Sequence, residues 1–179
     1  MSSIKNIRIS LGRFFYKREK AQIRRNVKII NLKSVKSAAI IFEANDENNL
    51  KHVKELIKHL PANANVSVLG YIDGKREDFS YIGDKIFDYI TESDFDFFMR
   101  PKQGIVTDFI GKQFDVLFVL NHKYFFPVDL LSGVSKAKFK VGQSGVYEKN
   151  LDFFIETKEK NFNYLISQIS FYMNDMKTE

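Results

Sequence analysis

The 179-residue chain has no cysteine, no tryptophan, and only three prolines and nine glycines. Without cysteine there is no disulfide, no thiol nucleophile and no thiolate metal site, which suits a reducing compartment. No stretch approaches the ~20 apolar residues that a membrane-spanning helix requires. Lys5, Arg8 and Ser10 interrupt the apolar residues Ile4, Ile7, Ile9 and Leu11 near the start, so no secretory signal is expected. The predicted location is the cytoplasm. Acidic residues are scarce in one region. Residues 1–36 hold eleven Lys or Arg and one acid, Glu19, whereas the rest holds 17 bases and 21 acids. The net charge of +6 therefore divides into +10 for the first fifth and −4 for the body. This asymmetry is the most informative feature of the composition.

What is present suffices for a core. Hydrophobic residues make up 44% of the chain, including 18 Phe and 8 Tyr, and the length suits one domain. Two parts are expected: a basic helical segment over residues 1–36 and an α/β domain over 37–179. Residues 10–27 read as a helix capped by Ser10 and rich in Lys, Arg, Glu and Ala. Ala38–Phe42 is a continuous apolar run, as in a strand covered on both faces. Asp46–Leu60 has helical periodicity closed by Pro61, and Val66–Ile72 is a second strand, which completes a βαβ unit. Ile86–Thr91 suggests a short extra strand. Ser93 or Asp94 caps a helical turn before Pro101, and Gly104–Ile110 is a short helix. Phe114–Leu120 is the third buried strand. Pro127–Leu131 starts a helix that Gly133 ends, Lys138–Val141 and Leu151–Ile155 are further strands, and Lys160–Met173 is a closing helix. The alternation predicts a doubly wound, mostly parallel sheet of about five strands, Rossmann-like or flavodoxin-like.

Ligands of such sheets bind at the carboxyl ends of the strands. The first of these loops, Glu43–Glu47, has no glycine and three carboxylates, which repel phosphate; Asp46 or Asn45 reads as a helix cap. Asp73–Asp78 reads as a polar turn. Asn121-His122-Lys123-Tyr124 is the candidate pocket, because a buried strand delivers four polar side chains to the ligand edge. His52 and His59 stand two helical turns apart, ~10 Å along the axis, and cannot share one metal ion. Asp94 and Asp96, two apart on a helical turn, point to different sides and make no catalytic carboxylate pair. Gly142-Gln143-Ser144-Gly145 reads as a loop bordering a pocket. No P-loop or nucleophile elbow is found, and no catalytic residue, metal or cofactor is expected.

The stretch FDVLFVLN (Phe114–Asn121) followed by PVDLLSGVSKAKFKVG (Pro127–Gly142) resembles a family of small bacterial proteins known only as a domain of unknown function. The resemblance covers most of the chain. More distantly, the same stretch is similar to the amino-terminal half of heptosyltransferase-type glycosyltransferases, with Ser135–Gly142 as the characteristic turn. That resemblance implies the fold and no transferase activity, since the chain ends where a nucleotide-sugar-binding half would begin.

The function expected from charge is non-catalytic binding, with residues 1–36 docking on a polyanion, RNA or a ribonucleoprotein. Arg13, Lys17, Arg18, Lys20, Arg24 and Arg25 are the expected phosphate contacts, and Phe14, Phe15 and Tyr16 the stacking groups. Two alternatives are weak docking on an anionic membrane surface through Leu11, Phe14 and Phe15, and a degenerate nucleotide- or sugar-binding domain using Asn121 and His122.

Overall fold

Alternation along the strands decides the architecture. In β1 (Ser37–Glu43), Ala38, Ile40 and Phe42 enter one core, while Ala39 and Ile41 enter another on the opposite face. An apolar run with no polar face is what burial on both sides demands. The structure, a computed structural model, describes residues 2–75, 85–157 and 162–177. In chain order the helices are α1 (Ser2–Gln22), α2 (Glu47–Lys58), α3 (Ile105–Gly111), α4 (Phe126–Val134) and α5 (Phe162–Asp175). The strands after β1 are β2 (Asn65–Tyr71), β3 (Phe87–Ile90), β4 (Val116–Val119), β5 (Phe139–Gln143) and β6 (Phe153–Ile155).

All six strands pair in parallel, in the order β3-β2-β1-β4-β5-β6. Among the described residues the sheet has six strands rather than about five, because the short Ile86–Thr91 segment does form the edge strand β3. This order is the Rossmann one, not that of flavodoxin, and it reverses between β1 and β4. Helices α2 and α5 cover one face through Val53, Leu56, Leu165, Ile169 and Met173. Helices α3 and α4, joined by Tyr16 of α1, cover the other. Asp46 rather than Asn45 caps α2, its carboxylate accepting from Asn48 N–H at 2.8 Å.

The first helix departs from expectation. It runs over Ser2–Gln22 instead of 10–27, and Ser10 lies inside it. Beyond Gln22 the chain is non-helical, with Lys28 N–H donating to Lys138 O at 3.2 Å and Arg25 Nε to Ala137 O at 2.8 Å. These tertiary bonds, invisible to local propensity, draw the chain off the helix axis. Helix α4 differs too. Gly133 lies inside it, and all nine of its residues are buried. The glycine is required by packing: a Cβ there would stand 2.7 Å from Tyr16 Cζ. Gly12 has the same role on α1, where a Cβ would come within 2.8 Å of Phe126 Cε1. Two glycines thus let α1 lie directly on α4. The short turn before Pro101 is capped by Thr91, whose hydroxyl accepts from Ser93 N–H at 3.2 Å, with Asp94 reaching back to Thr91 N–H at 2.8 Å.

Candidate functional site

The reversal point between β1 and β4 is where this fold places ligands. There the structure brings Asn121 and Lys123 together around Glu43. With its amide oriented to satisfy both neighbours, Asn121 donates to Ile41 O at 3.3 Å and accepts from Glu43 N–H at 3.2 Å. Lys123 Nζ meets Glu43 Oε1 at 2.9 Å, and that hydrogen bond and charge raise the lysine's pKa. The other two predicted pocket residues leave in opposite directions. His122 packs edge-on against Phe162, ring centroids 4.3 Å apart, and Phe162 stacks in turn on His52 at 5.4 Å. Tyr124 stacks on Tyr147 and donates to Asp129 Oδ2 at 2.9 Å. Consecutive residues of an extended chain face opposite sides, so the four side chains do not converge.

The neighbouring loops are occupied by their own side chains. Asn45 and Asp73 exchange two hydrogen bonds, Asp73 N–H to Asn45 Oδ1 at 2.7 Å and Asn45 Nδ2 to Asp73 O at 3.0 Å. Arg76–Asp78 of the turn expected here lie outside the described residues. In the Gly142–Gly145 loop the donors that could hold an anion already hold one. Glu148 accepts from Ser144 Oγ and from Gly145 N–H, which keeps its carboxyl below the usual range. Among the described residues no group of three or more His, Cys, Asp or Glu is placed to hold a metal ion, and no helix is long and apolar enough to cross a membrane.

Sequence reasoning missed a polar hub beneath α1. Asp129, 1% exposed, sits within α4 and accepts Asn150 Nδ2 at its own Oδ1, 2.7 Å, and at its main-chain oxygen, 3.0 Å. Asn150 Oδ1 accepts Tyr16 Oη at 3.2 Å and Lys20 Nζ at 2.5 Å. Lys149 Nζ reaches Asp129 Oδ2 at 3.1 Å. Burial, with Asp129 adding, pushes the Tyr16 hydroxyl far above its ordinary pKa, so it stays a donor. Next to the hub, Lys140 is 1% exposed and donates to Ser132 O at 2.6 Å and Gly133 O at 3.3 Å. The signal available in the sequence was one charge in each of two apolar runs: Asp129 in FPVDLLSGV and Lys140 in FKVG.

The hub divides the six basic residues expected to bind a polyanion. Lys20 belongs to it. Arg25 pairs with Asp152 and with the carbonyls of Ala137 and Lys138. Arg13 stands over the Tyr124 ring at 5.9 Å, on the exposed side. Lys17, Arg18 and Arg24 are exposed and make no ion pair with any described residue. Tyr16, expected to stack on bases, is buried at the α1–α4 contact instead.

Phe14 and Phe15 do face outward, and they have company. The loop Asp96–Arg100 presents Phe97 and Phe98 beside them, with Phe15 and Phe98 centroids 5.9 Å apart in an edge-to-face contact. Phe14 and Phe97 are 58% and 51% exposed. Arginines interleave these rings. Arg18 stands 5.9 Å from the Phe14 centroid, Arg100 5.2 Å from Phe98 and 5.8 Å from Phe15, and Arg8 5.7 Å from Phe97. The loop is tied by Arg100 Nε to Asp96 Oδ2 at 2.8 Å. Partial burial works to raise the Asp96 pKa, but the bonds from Arg100 win and lower it. Met99, at φ 58°, is buried, which turns the two preceding rings to solvent. A non-glycine residue in this region costs about 1 kcal/mol or more, so the presentation of Phe97 and Phe98 is maintained against strain.

No curated protein and no solved structure matches the chain. Over residues 8–175 the sequence matches the model of a family of unknown function, DUF6913, and the chain belongs to that family.

Proposed function

We propose that this is a cytoplasmic, non-catalytic binding protein that takes single-stranded RNA on the outer face of α1 and the adjoining Asp96–Arg100 loop. The observation that carries this reading is the interleaving of four exposed phenylalanines with Arg8, Arg18 and Arg100. Unpaired bases stack on aromatic and guanidinium planes, while phosphates are met by lysine and arginine. A duplex hides its base faces and has no use for such rings. Arg13, Lys17 and Arg18 extend the charge along the helix, and Arg24 just beyond its end, for the strand's backbone. At the strand edge, the groups that would perform acid–base chemistry are engaged in contacts within the chain, which favours binding over catalysis.

Fluorescence anisotropy with a labelled oligouridylate tests the reading. Four phosphate contacts on a single strand predict a log–log salt slope of about −3, from ~0.7 per contact. Arg18→Ala should flatten that slope by ~0.7, and Phe98→Ala should weaken binding by roughly tenfold while leaving the slope unchanged, since stacking is worth ~1–3 kcal/mol per base. Equal affinity of wild type and Phe98→Ala would overturn it. So would flotation with anionic vesicles in the absence of RNA binding, which would assign the patch to a lipid surface.

A further inference from the structure

A cavity of about 170 Å³ opens between the end of α1 and the turn that follows β5, and its lining includes Lys20, Arg25, Lys140 and Lys149, with Asn150 and Asp152. Four cations therefore face one another around a single lining carboxylate. Asp152 is taken by Arg25, and Asp129, behind the wall, is shared with Lys149 at 3.1 Å. Among the described residues Lys20 and Lys140 have no carboxylate partner; their bonds go to Asn150 Oδ1 and to main-chain oxygens of Lys149, Ser132 and Gly133. With Lys140 protonated, the cluster is left with an excess of two positive charges. The end of α4 supplies the carbonyls of Ser132 and Gly133, but a helix terminus carries only about half a negative charge. Buried charges in proteins are ordinarily paired, because an unpaired one costs several kcal/mol. The larger groove between α2 and α5, about 530 Å³, gathers one carboxylate and one imidazole and shows no such imbalance.

We infer that this cavity is a binding site for a phosphate group, closed on one side by α1 and held by Lys20, Lys140 and Lys149. A phosphate monoester dianion matches the charge excess, and the space holds a group the size of a few waters at ~30 Å³ each. Lys140 uses two of its three N–H groups on carbonyls, which leaves one for an anion oxygen. Asn150 Nδ2 is committed to Asp129 and Ser132, so the ammonium groups are the donors that remain. The electrostatics agree. Burial, then Arg25 and Lys20, pull the Lys140 ammonium down to about 7 against the opposing pull of Asp152. Lys20 is lowered as well, by burial and by Lys149 and Arg25, although Asp129 opposes the shift. A bound dianion relieves this repulsion. The inference does not depend on the RNA surface, none of whose residues lines this cavity; one chemistry serves a free phosphate or the 5′-phosphate of a nucleic acid.

Isothermal titration of the full chain with sodium phosphate and with pyrophosphate, against chloride at matched ionic strength, tests the site. Saturable binding by the wild type, weakened roughly tenfold or more in Lys140→Met, is expected, since charge-assisted hydrogen bonds are worth that much. Lys140→Met keeps the volume and removes a buried charge, so it should fold; Lys20→Gln, at the partly exposed edge, gives a second reading. Tighter binding of a 5′-phosphorylated over a 5′-hydroxyl oligonucleotide supports the site and names its source as a nucleic acid end. Equal binding of the two, with phosphate still bound, supports a free phosphate compound. Undiminished phosphate binding in both variants, or none by the wild type beyond that of chloride, overturns the proposal. Binding of the 5′-hydroxyl oligonucleotide should survive in Lys140→Met, so this failure is distinct from failure of the RNA reading.

Discussion

Tyr16 and Phe15 are adjacent on one helix, aromatic and similar in size, yet they belong to different regions of the molecule. Tyr16 is 5% exposed, pressed into the notch at Gly133 and bonded to Asn150. Phe15 is 36% exposed and touches Phe14 and Phe98 in a surface cluster. The inner side of α1 is thus spent on holding the helix to α4, and the outer side is held at the surface. The charges divide in the same way: Lys20 and Arg25 serve the inner side through Asn150 and Asp152, Lys17, Arg18 and Arg24 the outer, and Arg8 both, through Glu92 and the Phe97 ring. A net charge of +10 in residues 1–36 therefore overstates what is on offer to a partner, and the position of each residue on the helix matters more than the total.

The largest effect that would break this division is on stability. Tyr16→Ala empties a buried notch and removes a partner of Asn150, so a loss of about 3–5 kcal/mol is expected in urea unfolding. Phe14→Ala, two residues away, should change stability by no more than ~0.5 kcal/mol. Comparable losses in the two variants would mean that α1 does not pack on α4 as described. Asn150→Ala comes next, at about 2–3 kcal/mol, because it strands Asp129 among fewer donors while Tyr16 keeps its packing. A loss below ~0.5 kcal/mol would show the hub to be solvated.

Lys140 provides a third contrast, in pH. The charges acting on it are Arg25, Asp152 and Lys20, and Lys149 lines the same cavity. The unfolded chain keeps this proton up to its ordinary value of 10.5, and the folded protein only to about 7. Between those values the unfolded state binds more protons, so raising the pH favours folding through this residue. The gain should begin near pH 7 and reach on the order of 2 kcal/mol by pH 9. Stability of wild type minus that of Lys140→Met, followed by urea unfolding from pH 6 to 9, isolates the effect. A flat difference would mean that the ammonium is compensated. Saturating phosphate should also flatten it, by restoring the proton.

How much of this was legible in the sequence follows from which interactions are local. The buried strands were, because Ala38–Phe42 and Phe114–Leu120 are apolar on both faces and need no partner to be recognised. So was the capping of α2, since Asp46 and its acceptor geometry lie within three residues. The end of α1 was not. Nothing local breaks the helix at Gln22, and the bonds from Arg25 and Lys28 reach residues more than a hundred positions away. Gly133 read as a stop because glycine is a poor helix former, when its purpose is to admit a tyrosine from another helix. At the site, the basic face was visible as composition, but Phe97 and Phe98 could not be joined to Phe14 and Phe15 without the crossing of α1 past the loop. The hub was hidden for the same reason: Tyr16, Asp129 and Asn150 share a site only through the fold.

The smallest effect separates two arginines. Arg25→Ala removes an ion pair at partly buried positions along with two carbonyl bonds, and about 1–2 kcal/mol of stability should go with it. Arg18→Ala removes a cation resting on an exposed ring, and the change should stay within ~0.5 kcal/mol. For RNA the order reverses. Arg18→Ala should weaken a 5′-hydroxyl oligouridylate several-fold at low salt, while Arg25→Ala, its guanidinium already committed, should leave that affinity within about twofold. If Arg25→Ala instead weakens the oligonucleotide as much as Arg18→Ala does, the pair with Asp152 opens when RNA binds. The division between inner and outer charge would then hold only for the free protein.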